Sequence, residues 1–180
     1  MDEQRQPEIL NADLAPMVLN LAAFGETDLL SLPWLTLPPK GNLYKAVHDL
    51  SLLGALSEEG MITSVGRKMV TFPCHPRLAK MMLHAYLWEP RQLVCDIAAL
   101  LEEKDPMGDL ESSADLSLRI SELRRARSQR RIGSWGRVDK VAGEYTRMMG
   151  VAPGTSYVSS EDIGVLVAVA YPERIAQALD

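Results

Sequence analysis

Apolar residues recur every three or four positions along most of this chain, and the runs break at proline, glycine or acidic turns. Leu43, Val47, Leu50 and Leu53 share one face of a predicted helix that Gly54 is placed to end. Ala55 and Leu56 lead into Ser57, Glu58, Glu59 and Gly60, a turn composition, and Met61 and Ile62 read as the return of a short β-hairpin. Thr63 or Ser64 can cap the next helix, which turns Val65, Met69 and Phe72 inward until Pro73 stops it. Helix, tight turn and helix in that order predict a small winged-helix domain over residues 28–72.

The flanks are helical as well. Asp13 can cap a helix carrying Leu14, Met17, Val18, Leu21 and Phe24 on its apolar stripe, with Pro16 in the first turn and Gly25 at the exit; it forms a lead-in segment over residues 1–27. The proline-rich connector 32–39 holds Leu32, Trp34, Leu35 and Leu37, too apolar to stay solvated, so it is expected to pack as an ordered linker. From residue 73 to 180 a helical bundle is predicted. Pro76 opens a helix with Leu78, Met81, Met82 and Ala85 inward, and Glu89 with Pro90 opens another with Leu93, Val94, Ile97, Leu100 and Leu101. Ser112 and Asp115 resemble a capping box ahead of Leu116, Ile120 and Leu123. Trp135, Val138, Ala142, Tyr145 and Met149 form a further stripe. After a loop with Pro153 and Gly154, Ser159 and Asp162 repeat the capping pattern before Ile163, Leu166, Val167 and Ala170.

Composition narrows the class. A chain of 180 residues with 47% hydrophobic and 24% charged residues can bury a sizeable core and is neither disordered nor low in complexity. Its longest near-continuous apolar stretch, 163–171, is far short of the ~20 residues of a spanning helix. Cys74 and Cys95 stand outside any CxxC or His-flanked pattern, which argues against a zinc site or disulfide framework and fits reduced, cytoplasmic thiols. His48, His75 and His84 have no metal-ligand spacing. No glycine loop with a following Lys-Ser/Thr exists to cradle a nucleotide's phosphates, and Ser64 lacks the glycine of a nucleophile elbow, Ile62 standing in its place. No catalytic residue, metal ligand or small-molecule substrate is therefore assigned.

A net charge of −5 disfavours a free-standing nucleic-acid binder. The average hides a basic cluster of Arg119, Arg124, Arg125, Arg127, Arg130, Arg131, Arg137 and Lys140, opposed only by Glu122 and Asp139. Arginine forks pair with phosphate oxygens and stack on bases, as a passing single strand requires. The candidate nucleic-acid contacts are Arg119, Arg124, Arg127, Arg130, Arg131, Arg137 and Lys140. The plain alternative is a solvated helix face with weak surface ion pairs.

Several segments together resemble a known family: PEIL-x-ADLAP-x-VL-x-LAAFG at 7–25, LPWL-x-LPP at 32–39, LLGAL at 52–56, T-x-x-GR-x-M at 63–69, FP-x-HPRLAKMML at 72–83 and CDIAALLEEKDP at 95–106. They are similar to the region behind the motor domains of DEAH-box helicases, most of all the bacterial HrpB-type ATP-dependent RNA helicases. Beyond residue 106 the likeness rests on helix order and on LVAVAYPERIAQ at 166–177. It implies a mainly α protein, a winged-helix domain followed by a ratchet-like helical bundle. It further implies a fragment of a longer chain, whose RecA-like motors are its partners and hold the ATP and Mg, while the fragment itself hydrolyses nothing and walls a channel for single-stranded RNA or DNA. The alternatives are a winged-helix DNA regulator, whose recognition helix at 64–72 offers only Arg67 and Lys68, and a protein-interaction adaptor.

Overall fold

The computed structural model describes residues 6–85, 91–108, 114–151 and 160–176. Among them are eight α-helices and no β-sheet. The chain divides into two compact units, Met1–Lys80 and Met81–Asp180, the division falling inside the fourth helix.

In the first unit, α1 (Ala15–Ala23) packs on α2 (Lys40–Leu52) and on the short α3 (Ser64–Met69). The Asp13 carboxylate accepts the N–H of Ala15 at 2.9 Å and so caps α1 as expected. The buried stripe differs from the expected one: it is Ala15, Val18, Leu19 and Ala22, following Leu14, while Met17 and Leu21 are half-buried and Phe24 is exposed. These four positions stand at i, i+3, i+4 and i+7, and their small alanines let α1 approach its neighbours closely. In α2, Leu43 and Leu50 face inward with Leu53 beyond, as the spacing predicts, and Val47 lies half-buried at the edge. Gly54, at φ 72°, ends the helix: the N–H groups of Gly54 and Ala55 return to the carbonyls of Ser51 and Leu50 at 2.9 and 2.8 Å.

The expected β-hairpin is not formed. A turn at Ser57 to Gly60 is present, with Ser57 N–H donating to the Met61 carbonyl at 2.8 Å, but only one antiparallel bridge, Leu56 to Ile62, spans it. The flanking helices leave no residues for strands. The Ala55 N–H is taken by the end of α2, and Thr63, one residue past the bridge, is already the cap of α3. Its Oγ1 accepts the Gly66 N–H at 3.0 Å and donates to the Gly54 carbonyl at 2.7 Å. Gly66 fits because a Cβ there would stand 2.3 Å from the Ala55 carbonyl oxygen. Gly66→Ala is expected to cost about 1–3 kcal/mol through overpacking, measured by urea unfolding, and an unchanged midpoint would contradict the close approach.

α4 (Pro76–His84) starts beneath His75, whose Nδ1 accepts the Arg77 N–H at 3.2 Å while Nε2 faces the Asp13 carboxylate at 3.2 Å. His75 is thus a helix-start residue, the role its place before Pro76 suggests. Arg77 reaches α2 through a buried ion pair, its Nη2 2.8 Å from Asp49 Oδ2, which also meets Lys45 at 2.6 Å.

The second unit is built around α5 (Arg91–Glu102), which packs on α6 (Leu116–Ser128) and α7 (Gly136–Met148). Every residue of α5 from Gln92 to Leu100 is buried, as befits a central helix, and its one polar face, Gln92 and Asp96, is buried with the rest. Ile120, Leu123 and Ala126 of α6 and Val138, Ala142 and Tyr145 of α7 close over it, and Met149 follows. Trp135 is half-buried in a 3-10 turn ahead of α7. α8 (Ser160–Ala170) packs on α6 and buries Ile163, Leu166 and Ala170, with Val167 half-buried. The cap of α6 is Asp115 itself, whose Oδ1 accepts the Ser117 N–H at 2.8 Å. The proposed openings at Ser112, at Ser159 and at Glu89 with Pro90, and the loop with Pro153 and Gly154, lie outside the described residues.

Candidate nucleic-acid interface

The arginines of α6 divide by helical position. Leu116, Arg119, Ile120, Leu123 and Arg127 stand at i, i+3, i+4, i+7 and i+11, so Arg119 and Arg127 sit on the inward stripe rather than on the exposed side. Arg119 is buried: its Nε donates to Asp105 Oδ2 at 2.8 Å and its Nη1 to the Asp115 carbonyl at 3.1 Å. The hydrogen bond from Arg119 holds the Asp105 carboxyl below the usual carboxylate range. This arginine ties the loop after α5 to the first turn of α6, and its guanidinium is engaged within the protein.

Arg127 reaches under the helix pair. Its Nη1 lies 2.9 Å from Asp96 Oδ1 on α5, and its Nε 2.6 Å from Asp139 Oδ1 on α7, so one guanidinium joins three helices. Asp96 is fully buried, and burial pushes its carboxyl above the ordinary aspartate range despite the Arg127 charge and a 3.0 Å hydrogen bond from Gln92 Nε2. Burial works against the charge of Arg127 too, but its side chain is part-exposed and the two aspartates outweigh that, raising its pKa. Thr146 Oγ1 lies 2.7 Å from the Ala142 carbonyl and 3.3 Å from Gln92 Oε1, so its single proton serves one of them. Burial pushes the neighbouring Cys95 thiol up to about 11, and its Sγ rests 3.6 Å from Met149 Sδ, which makes it a packing residue rather than a nucleophile.

Above this network lies a groove of about 840 Å³ between α6 and α7. Arg124 and Arg125 form one wall with Ser128, Arg147 stands on the other, and Arg127, Asp139 and Thr146 make the floor. A Cβ at Gly143 would meet nothing within 4 Å, so the floor is open there to a ligand. Arg125 pairs with Glu122 at 3.5 Å across an exposed i, i+3 spacing, a contact weak enough to exchange for a phosphate. Arg137 pairs with Glu103, and Lys140 is exposed on α7. Arg130 is exposed at the end of α6, where its backbone takes the left-handed φ of 53° usually reserved for glycine, and Arg131 follows it, also exposed. The structure thus gathers Arg124 and Arg127 of the candidate set at one groove, adds Arg125, and places Arg119 and Arg137 in separate ion pairs. Arg147 was not among the sequence candidates, although Asp139, Gly143 and Arg147 at i, i+4 and i+8 mark one face of α7.

Other chemistry is scarce. Among the described residues no group of three or more His, Cys, Asp or Glu side chains could hold a metal ion, and no helix is long and apolar enough to cross a membrane. α3 spans six residues with Arg67 and Lys68 exposed on it.

Comparison with known proteins agrees with this architecture. The family described as helicase associated domain (HA2), winged-helix, matches residues 46–74. The ATP-dependent RNA helicase HrpB of Escherichia coli K12 is 33% identical over 174 residues, 97% of this chain and 19% of the relative. The crystal structure of the Escherichia coli DEAH/RHA helicase HrpB superposes with a TM-score of 0.74 at 29% identity, covering 95% of this chain and 20% of that one. A second crystal structure, of the E. coli DExH-box NTPase HrpB, gives 0.73 at 30% identity, covering 95% of this chain and 19% of that one. The chain spans about a fifth of the length of the relatives it matches. The likeness identifies the chain with the helicase-associated region, winged-helix segment included, of the HrpB-type DEAH helicases.

Proposed function

We propose that this chain is a non-catalytic accessory part of an ATP-dependent RNA helicase, supporting the RecA-like motor domains and guiding a single strand along the groove between α6 and α7. The observation that carries the strand contact is the convergence of Arg124, Arg125 and Arg147 on a groove whose deeper arginine, Arg127, is already held by Asp96 and Asp139. The outer three suit phosphate oxygens, since guanidinium forks bind them bidentately, and of the three Arg125 and Arg147 are exposed. Arg127 instead fixes the spacing of the three helices. In this reading Arg130, Arg131 and Lys140, exposed beside the groove, extend the basic surface along the strand. ATP and Mg belong to the motor domains, because this sequence offers neither a phosphate-cradling glycine loop nor a lysine to follow it.

Titration of a short labelled single-stranded RNA into the protein at several salt concentrations tests the strand contact. Binding is expected to weaken with salt, log K falling with log salt by about 0.7 for each phosphate contact. Arg124→Glu with Arg147→Glu is expected to lower that slope by at least one contact. Binding indifferent to both substitutions, or a preference for duplex DNA, would overturn the assignment, the latter in favour of a winged-helix regulator.

A further inference from the structure

The groove between α6 and α7 presents donors on its walls and acceptors at its floor. Arg124, Arg125 and Arg147 stand on the walls, while the guanidinium of Arg127 beneath them is taken up by Asp96 and Asp139. Gln92 of α5 also lines the groove, though it is only 9% exposed. Asp96 fixes the orientation of its amide. Nε2 donates to Asp96 Oδ1 at 3.0 Å, and an amide turned the other way would set two oxygens against each other. Oε1 is therefore the atom that meets Thr146, 3.3 Å from its Oγ1. That hydroxyl has one proton, and the Ala142 carbonyl, one helical turn back at 2.7 Å, is the nearer acceptor. Gln92 Oε1 is left with the longer and weaker contact, so a buried acceptor stands at the groove ready for a donor that a ligand brings.

We infer that Gln92 is a specificity residue of this groove, its Oε1 accepting a hydrogen bond from an uncharged donor of the bound nucleoside, the ribose 2′-hydroxyl or a base amine. The inference rests on the strand-guiding reading given above and adds what the groove recognises between phosphates. The charges select the ligand class. Arg127 is neutralised by Asp96 and Asp139, so a phosphate gains nothing at the floor and stays with the wall arginines, and those arginines repel a free cation. A nucleotide has this polarity, with acceptor oxygens at its phosphate and N–H and O–H donors on its base and ribose. A Cβ at Gly143 would meet nothing within 4 Å, which leaves the approach to the floor unobstructed.

Three labelled single strands of one length distinguish the two sources: an oligoadenylate RNA, its 2′-fluoro form, which lacks the hydroxyl proton, and its purine-riboside form, which lacks the base amine. Loss of the donor that Gln92 accepts is expected to weaken binding about two- to tenfold, the worth of one hydrogen bond. A weaker 2′-fluoro strand assigns the ribose, and a weaker purine-riboside strand assigns the base. Gln92→Met is expected to bring all three strands to equal affinity. In the unaltered protein the side-chain carbonyl carbon resonance of Gln92 is expected to move on binding RNA and to move less with the weaker strand, a readout that stands even if Gln92→Met unfolds. Equal affinity of the three strands for the unaltered protein, or a difference that survives in folded Gln92→Met, would overturn the role of Gln92 alone, provided Arg124→Glu with Arg147→Glu still weakens binding. RNA binding unchanged by that pair would overturn the groove reading and this inference with it.

Discussion

Arg127→Met is expected to destabilise the second unit by about 3 kcal/mol in urea unfolding, the cost of leaving the buried Asp96 carboxylate without its part-exposed partner. Asp96 is fully buried on α5, and without Arg127 its carboxylate keeps the Gln92 hydrogen bond and the weaker pull of the Arg124 charge. The folded variant will therefore take up a proton at Asp96. A carboxyl whose folded pKa is raised contributes stability that is fully present below its unfolded pKa, about 3.9, and lost as pH rises through the folded value. Asp96 is already raised in the native protein, and loss of Arg127 raises it further, so the gap between the two proteins should be smaller near pH 4 than near pH 7. Replacing both partners, Arg127→Met with Asp96→Leu, is expected to recover much of the loss, since an apolar pair leaves no buried charge behind. A loss below about 1 kcal/mol for Arg127→Met alone would show that Asp96 is adequately served by its other neighbours.

Leu50→Ala carries the second large effect, about 2–5 kcal/mol in the first unit. Leu50 has no exposed surface and lies where α2 meets the returning chain, its own carbonyl accepting the Ala55 N–H. Removing its side chain opens a cavity in the core of the first unit. Leu52, two residues on and about half exposed, is the control and should cost well under half as much. A change below about half a kcal/mol at Leu50 would show that the inward face of α2 is assigned wrongly.

Most helices were legible in the sequence because each buries one stripe of large apolar residues: Leu43, Leu50 and Leu53 along α2, Leu78, Met81 and Met82 along α4, Leu93, Val94 and Ile97 along α5. The stripe of α1 was displaced because hydropathy weights Phe24 and Met17 above Ala15 and Ala22, whereas close helix approach selects the small residues. The hairpin failed for a different reason. The composition at Ser57 to Gly60 marks the turn, but whether strands follow depends on how many N–H groups the flanking helix ends have already taken. The basic cluster was visible as charge and illegible as geometry. Asp105 and Asp96, which hold Arg119 and Arg127, lie fourteen and thirty-one residues earlier in the chain, so no local count of charges could pair them. Helical spacing alone would have placed both arginines inward, and the same spacing on α7 would have found Arg147.

A run of arginines suggests a uniform phosphate track. The structure instead separates arginines that hold the scaffold, Arg119 and Arg127, from those that line the open groove, Arg124, Arg125 and Arg147. Scaffold substitutions should act on stability, and groove substitutions on binding and its salt dependence.

RNA-stimulated ATPase of the full-length helicase, with Arg124→Glu and Arg147→Glu introduced together and folding verified by circular dichroism, tests the strand-guiding role most directly. The account predicts that stimulation by single-stranded RNA falls severalfold and that higher RNA concentration partly restores it. Full stimulation at the wild-type RNA concentration would contradict it.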